Sequence, residues 1–198
     1  MEYNVFIILM LLVIGFFVWT YVSVKRRDKE IQEKLEEYHA KCLAMTSEEL
    51  LETEDSIVLV ETVAERINEK LSAYETPEKG FSYLSEPEQT VYVLFEYIDN
   101  CFILDFFGGE RRELCVPRFG ECLARVGALE YKQAFDEFIE KNKIDVNDLS
   151  MYAGRYWTSK RNKDINCEAF EAFDKKIEEF PMLDEWVGKY IKENISYF

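Results

Sequence analysis

A run of twenty residues without a charged side chain, residues 5–24, constrains this chain more than any other feature. A helix needs about 20 consecutive apolar residues to cross the hydrocarbon core of a bilayer. Trp19 and Tyr21 lie near the end of the run, where aromatic rings favour the membrane interface. A cleaved signal peptide would begin with basic residues and have a shorter apolar region. The run therefore predicts a single transmembrane helix over residues 5–24.

A basic cluster on one side of this run predicts the orientation. Lys25, Arg26 and Arg27 follow the run directly, and the positive-inside rule places such a flank in the cytoplasm. The chain has five cysteines, an odd number without Cys-x-x-Cys spacing, which is typical of free thiols in a reducing compartment. We therefore expect a single-pass membrane protein with residues 25–198 in the cytoplasm.

Helical periodicity predicts an all-α fold, with a juxtamembrane helix over residues 25–45 and one helical domain over 46–198. Capping boxes, in which a hydroxyl and a glutamate three residues later satisfy free backbone donors, are predicted at Thr46 and Ser85. The predicted helices of the domain are 56–74, one from Ser85 to a break at Asn100-Cys101, one opening at Pro117, 130–141, 167–179 and 182–194. The predicted connections are a breaker at 76–80, an apolar segment over 102–107, a Gly108-Gly109 turn, and 142–165 with at most one helical turn.

The apolar positions of these helices predict the core. Val91-Tyr92-Val93 is also compatible with a strand. Gly127 is expected to end its helix in the left-handed conformation. The residues expected to face inward are Val60, Val63, Ala64, Ile67, Leu71, Tyr74, Val91, Leu94, Phe95, Ile98, Phe119, Cys122, Leu123, Val126, Tyr131, Ala134, Phe135 and Phe138.

An apolar stripe in the juxtamembrane helix has two interpretations. Ile31, Leu35, Tyr38 and Cys42 are spaced four, three and four residues apart, which is heptad spacing. The stripe could pair with a second copy and make a homo-oligomer, or pack on the chain's own domain.

No motif for catalysis, a cofactor or a metal is present in the sequence. The single histidine, His39, lacks the partners that a zinc site or a histidine-based triad needs. Residues 145–148 begin like a calcium loop, but Leu149 and Ser150 stand where a ligand and a glycine are required. Gly108-Gly109 is followed by Glu110 and not by the Lys-Ser/Thr of a phosphate loop. The sequence predicts a protein that is not an enzyme.

Acidic residues dominate the charge, with 39 Asp+Glu against 24 Lys+Arg and a net charge of −15. Such a surface repels phosphate backbones, so direct nucleic-acid binding is disfavoured. It attracts a basic protein, or it only keeps the domain soluble. Two acidic stripes are the candidate partner-binding face: Glu48, Glu49, Glu52, Glu54 and Asp55, and the set Glu168, Glu171, Asp174 and Glu178, whose spacing is helical.

Short motifs over residues 84–198 resemble those of the DNA-mimic-protein-19-like family, a bacterial helical domain. They are the helix, break and aromatic stretch of Leu84–Phe107, the element Cys-Leu-Ala-Arg-Val-Gly-Ala at 122–128, Phe173-Asp174, Tyr190-Ile191 and the final Phe198. The family's Asn-Gly-Gly-Phe-His-Gln stretch differs here, where residues 99–104 keep only Phe102.

The resemblance implies an all-α fold without catalysis and, by analogy with the family's namesake, an acidic surface that imitates DNA. An enzyme with an unrecognised site is a separate hypothesis, which a deep pocket holding carboxylates with strongly perturbed pKa values would favour. The charge, the stripes and the resemblance together leave three hypotheses for a non-enzymatic function. The first is a membrane-anchored protein whose acidic domain binds a basic partner, with DNA mimicry as one form of that binding. The second is a membrane-associated immunity-type protein that neutralises a toxin. The third is a structural membrane component that self-associates through the heptad-spaced stripe.

Overall fold

The computed structural model describes the backbone of residues 2–153 and 165–198, and the side chains of the same residues except 2–18 and 22. All regular secondary structure in these residues is helical, as the sequence predicts. The α-helices are α1 (Glu2–Ala44), α2 (Ser47–Glu52), α3 (Ser56–Ser72), α4 (Pro77–Phe81), α5 (Glu86–Asn100), α6 (Ile103–Gly108), α7 (Arg112–Arg125), α8 (Leu129–Asn142), α9 (Cys167–Ile177) and α10 (Leu183–Glu193). Single 3-10 turns cover Ser150–Tyr152 and Ile195–Tyr197.

The chain divides into two compact units, Met1–Ala44 and Met45–Phe198. The first contains α1, which includes the helix predicted from residue 25 onward. The sequence predicts a membrane helix over residues 5–24. Most side chains of this range lie outside the described residues. Across the described part of the chain, no helix combines the length and apolar character required to cross a membrane. Ile31 and Leu35 of α1 are 51% and 59% exposed.

Both predicted capping boxes are present in the second unit. The Glu49 backbone N–H donates to Thr46 Oγ1 at 3.2 Å, and the Thr46 N–H donates to the Glu49 carboxylate at 2.7 Å. Ser85 and Glu88 form the equivalent pair at the start of α5. Because each box satisfies two backbone donors that a helix start leaves free, these two boundaries are set locally.

Helix α5 lies at the centre of the second unit and contacts α3, α6, α7 and α10. Val91 and Leu94 are buried as predicted, and Tyr92, Val93 and Tyr97 are buried too. A helix enclosed by neighbours buries more than one face, and this explains the near-continuous apolar run that also resembled a strand. Phe95 and Ile98, also predicted to face inward, are only partly buried.

Helices α7, α8, α6 and α9 complete the core around phenylalanine rings. Helix α8 contacts α7 and α9, and α9 also contacts α6. The Phe107 ring of α6 lies 5.4 Å from the Phe170 ring of α9 and 6.2 Å from the Phe138 ring of α8. The inward faces predicted for α7 and α8 are buried, and Gly127 has the expected left-handed φ of 83°. The aromatic packing joins α9 to the rest of the unit.

The structure corrects the predicted start of α7. This helix begins at Arg112, and Pro117 lies inside it. Proline removes one backbone hydrogen bond and strains a helix interior. Leu114, Cys115 and Val116 are buried ahead of the proline. Their burial outweighs the lost hydrogen bond and carries the helix through Pro117.

The predicted breaker at residues 76–80 is also corrected, because it contains the short helix α4. Thr76 caps that helix, and Pro77 occupies its first turn, where proline is tolerated. Tyr74, expected in the core, is 39% exposed and stacks on Tyr83 with ring centroids 5.2 Å apart. Helix α3 ends at Ser72, so Tyr74 lies outside the helix that would have turned it inward.

The apolar segment after α5 folds as a helix. Cys101 ends α5 in the left-handed conformation with φ 61°, as a break at Asn100-Cys101 requires. Residues Ile103–Gly108 then form α6, so Gly108 belongs to a helix and Gly109 follows its end. Within the predicted connection 142–165, one 3-10 turn is described. Tyr156 and Trp157 lie outside the described residues.

Candidate functional site

The first acidic stripe is partly used to cap helices. Glu49 completes the capping box of α2, and hydrogen bonding to Thr46 lowers the pKa of the Glu49 carboxyl. The Asp55 carboxylate accepts from the N–H groups of Ile57 and Val58 at 2.9 and 3.2 Å, at the start of α3. The remaining acids, Glu48, Glu52 and Glu54, are exposed. Two of the five acids therefore have a local role in the fold.

The second stripe is divided between two grooves on α9. Glu171, Asp174 and Glu178 line a cleft between α6 and α9, whereas Glu168 lines a groove between α8 and α9. A helix turns by about 100° per residue. At spacings of three, three and four, Glu168 is therefore rotated by roughly 60–120° from the other three acids. The structure brings three of the four predicted residues together.

The cleft between α6 and α9, here called the α6–α9 cleft, has a volume of about 570 Å³. This size is within the range of about 300–1,000 Å³ that ligand pockets occupy. Its apolar lining consists of Phe102, Leu104 and Phe170. Its charged lining consists of Asp105, Glu171, Asp174, Lys175 and Glu178. Phe102 is 55% exposed, so aromatic surface is open to a partner.

Asp174 is the half-buried member of the acidic set and connects the two helices. Its Oδ1 atom accepts a hydrogen bond from the Ile103 backbone N–H at 3.0 Å. Burial raises the pKa of Asp174 to about 6, and the negative charges of Asp105, Glu178 and Glu171 act in the same direction. Burial also raises the pKa of Asp105. The cleft therefore holds its negative charge at a free-energy cost that a bound cation would reduce.

The acids of the cleft contrast with several acids elsewhere in the unit that have cationic partners. Among the described residues, none of the four carboxylates forms an ion pair. Other acids in the same unit are paired, among them Glu88 with Lys70, Glu96 with Arg111, and Glu137 with Lys176. With Lys175 as the one cation of the lining, the cleft carries three more negative than positive groups. It is thus suited to bind a cation that also offers apolar contact.

Five residues of the cleft were not among the predicted site residues: Phe102, Leu104, Asp105, Phe170 and Lys175. Three of them precede α9 by more than sixty positions, and the hydrogen bond that joins the two segments spans 71 residues. The apolar stretch after Cys101 was visible in the sequence. Its position beside α9 depends on aromatic packing through Phe107 and was not visible.

The described residues contain no group of three or more His, Cys, Asp or Glu side chains arranged to hold a metal ion. No disulfide joins any two of the five cysteines, all of which the structure describes. Burial raises the pKa of Cys115, and it raises that of Cys122 to about 12, so both thiols are protonated and unreactive near neutral pH. The cleft itself presents four carboxylates, two of them with raised pKa values, beside apolar side chains.

Comparison with known proteins adds no identification. No family model, no curated protein and no solved structure matches this chain.

Proposed function

We propose that this chain is a non-enzymatic interaction protein whose acidic helical domain binds a basic protein partner through the α6–α9 cleft, with residues 5–24 as its membrane anchor. One observation carries the proposal: in the described structure, four carboxylates without ion pairs lie around a cleft whose Phe102 ring is open to solvent. A folded domain gains nothing in stability from such a set. A basic partner would both neutralise the carboxylates and cover the aromatic surface.

The net charge of −15 supports the same proposal at longer range. Complementary charge accelerates encounter and suppresses partners of the wrong sign. A DNA-binding regulator and a toxin that acts on nucleic acid are both basic proteins. DNA mimicry and immunity-type neutralisation are therefore two forms of the proposed binding, and the identity of the partner separates them.

Capture of a partner by the immobilised full chain tests this proposal. A lysate of the source cells is passed over the wild-type chain and over a Glu171→Lys/Glu178→Lys variant, at low and high salt. We expect a basic protein that the wild type retains at low salt, that high salt releases, and that the variant does not retain, because ion pairs at an exposed interface are screened by salt.

The control is a second double variant that changes the net charge by the same amount at residues outside the cleft. Glu110 and Glu140 are exposed and form no ion pair in the described structure. A Glu110→Lys/Glu140→Lys variant should retain the partner. Equal loss in both variants, or a partner unaffected by salt, would contradict binding at the cleft.

Self-association through α1 is a second candidate function. Exposure of Ile31 and Leu35 at heptad spacing favours it, because large apolar side chains on one helix face gain from burial against a second copy. Sedimentation of the full chain in detergent would show an oligomer, and Ile31→Ser/Leu35→Ser would convert it to a monomer. A wild-type monomer at micromolar concentration would exclude this candidate.

A further inference from the structure

The α6–α9 cleft combines two kinds of surface that few side chains can satisfy together. Phe102, 55% exposed, presents aromatic surface, and the buried side chains of Phe170 and Leu104 lie beneath it in the lining. Around them, the carboxylates come from both helices: Asp105 from α6, and Glu171, Asp174 and Glu178 from α9. A purely apolar segment would bury these charges without partners, which is strongly unfavourable. A purely polar cation would leave the aromatic surface in water.

Arginine meets both requirements. Its planar guanidinium stacks on aromatic rings, donates several hydrogen bonds to carboxylates, and is less strongly hydrated than the ammonium group of lysine. Its methylene stem packs on apolar surface while the charged end remains near solvent. Arginine is also one of the residues that contribute most to binding energy at protein interfaces.

Building on the interaction function proposed above, we propose that the α6–α9 cleft anchors an arginine side chain of the basic partner. The guanidinium lies between the carboxylates of α9 and Asp105. Its stem and a neighbouring apolar side chain of the same partner segment cover Phe102, Leu104 and Phe170. The volume of about 570 Å³ accommodates more than one side chain, so the arginine is bound as part of a short amphipathic segment.

Two other occupants fit the cleft less well. A metal ion needs several ligands converging on one point, and the described residues contain no such group. A second copy of this chain would bring a domain of the same negative charge toward the cleft, since the net charge is −15. Charge complementarity therefore selects a basic partner segment.

A pair of short peptides tests the arginine anchor. Acetyl-Leu-Arg-Leu-amide and the same peptide with citrulline, a neutral side chain of nearly the same shape, are titrated into the full chain in non-ionic detergent by NMR or calorimetry. We expect the arginine peptide to bind roughly tenfold more tightly, which is the effect of one charge-assisted contact. A Glu171→Gln/Glu178→Gln variant should reduce this preference, and Phe102→Ala should weaken both peptides. The matched Glu110→Gln/Glu140→Gln variant should behave as the wild type.

The outcomes separate this inference from the proposed function. If arginine and citrulline peptides bind equally, or if the cleft variant and its control give the same affinities, the arginine anchor is overturned. Capture of a basic partner in the lysate experiment would then still support the broader function. If Phe102→Ala changes the sedimentation of the chain and leaves peptide binding unchanged, the occupant is a second copy and the arginine anchor is again overturned.

Discussion

Two regions of the helical domain have carboxylates beside buried apolar surface. They differ in whether a cation pairs with these carboxylates in the described structure. Where α3, α5 and α7 meet, Glu88 and Glu96 are largely buried, and each is paired with a cation. In the α6–α9 cleft, the four carboxylates are not paired in the described structure. The first arrangement satisfies the fold. The second leaves negative charge that no described cation offsets, which is the basis of the proposed binding function.

The difference shows why an acid-rich sequence does not identify its own functional acids. Glu96 faces Arg111, whose guanidinium also lies 5.3 Å from the centre of the Tyr92 ring, so this charge is balanced within the domain. Asp174 has one hydrogen bond to the backbone and three acidic neighbours. The presence or absence of a cationic partner, not the number of acids, distinguishes the two regions.

The largest effect on the free energy of unfolding is expected at Phe107, whose ring supports the cleft. Phe107 is fully buried, and its ring contacts those of Phe138, Tyr152 and Phe170. Phe107→Ala should lower the free energy of unfolding by about 4 kcal/mol, because it removes a large buried ring and leaves a cavity. Urea unfolding followed by circular dichroism measures this. A loss under about 1 kcal/mol would mean that the aromatic cluster does not hold α9 in place.

The paired region should respond strongly to removal of one partner. Arg111→Leu leaves the Glu96 side chain, 16% exposed, without its cation and should destabilise the domain by about 3 kcal/mol. Glu96→Leu/Arg111→Leu should recover much of that loss, since no charge is then left unpaired. Equal stability of the single and double variants would show that Glu96 does not depend on Arg111.

In the cleft, we expect the opposite effect on stability: removing the charge of Asp174 should stabilise the domain. Its pKa is raised to about 6 in the folded chain, against an ordinary value of 3.8. Below the ordinary value, both folded and unfolded states are protonated. Between these two values the unfolded state ionises first, so stability falls as the pH rises; above about pH 6 both states are ionised, and the partly buried charge of the folded state lowers stability by its full amount.

Asp174→Asn should therefore stabilise the domain by about 1 kcal/mol at pH 7.5, after allowance for solvent screening of a partly exposed group, and have little effect near pH 3.5. The asparagine oxygen can still accept from the Ile103 N–H, which keeps the link between α9 and α6. Thermal unfolding at the two pH values measures the effect. A destabilisation at pH 7.5 would show that the carboxylate stabilises the fold.

The smallest effect on stability is expected at the exposed acids of the cleft. Glu171→Gln/Glu178→Gln should change the free energy of unfolding by less than about 0.5 kcal/mol, because both side chains are exposed and form no ion pair in the described structure. Denaturant unfolding beside the wild type measures this. A loss above 1 kcal/mol would mean that these acids are structural and would remove the contrast between the regions.

The parts of the fold that depend on local chemistry could be predicted from the sequence. Thr46 and Ser85 set helix starts through their own side chains, and the left-handed Gly127 ends α7. The start of α7 could not be predicted, because burial of residues before Pro117 comes from other helices. The same limit applies to α6, whose apolar residues fold as a helix against α5, α7 and α9.

Only the part of the candidate site on α9 could be predicted from the sequence. The helical spacing of the acids on α9 identified Glu171, Asp174 and Glu178, although it also included Glu168, which faces another groove. Phe102, Leu104 and Asp105 of the lining come from a segment far away in sequence. Which acids lack cations also depends on tertiary contacts, so the sequence could not separate functional from structural carboxylates.

A comparison of two double variants tests the central claim most directly. One variant neutralises carboxylates that form no ion pair in the described structure, and the other neutralises carboxylates that do. Glu171→Gln/Glu178→Gln in the cleft and Glu86→Gln/Glu121→Gln beside Arg125 remove the same number of negative charges. Retention of the basic partner by each full-length variant is measured at one low salt concentration. The proposed function predicts that the cleft variant loses the partner and that the Arg125-side variant retains it. Equal retention by both variants would contradict the claim that the α6–α9 cleft is the binding surface.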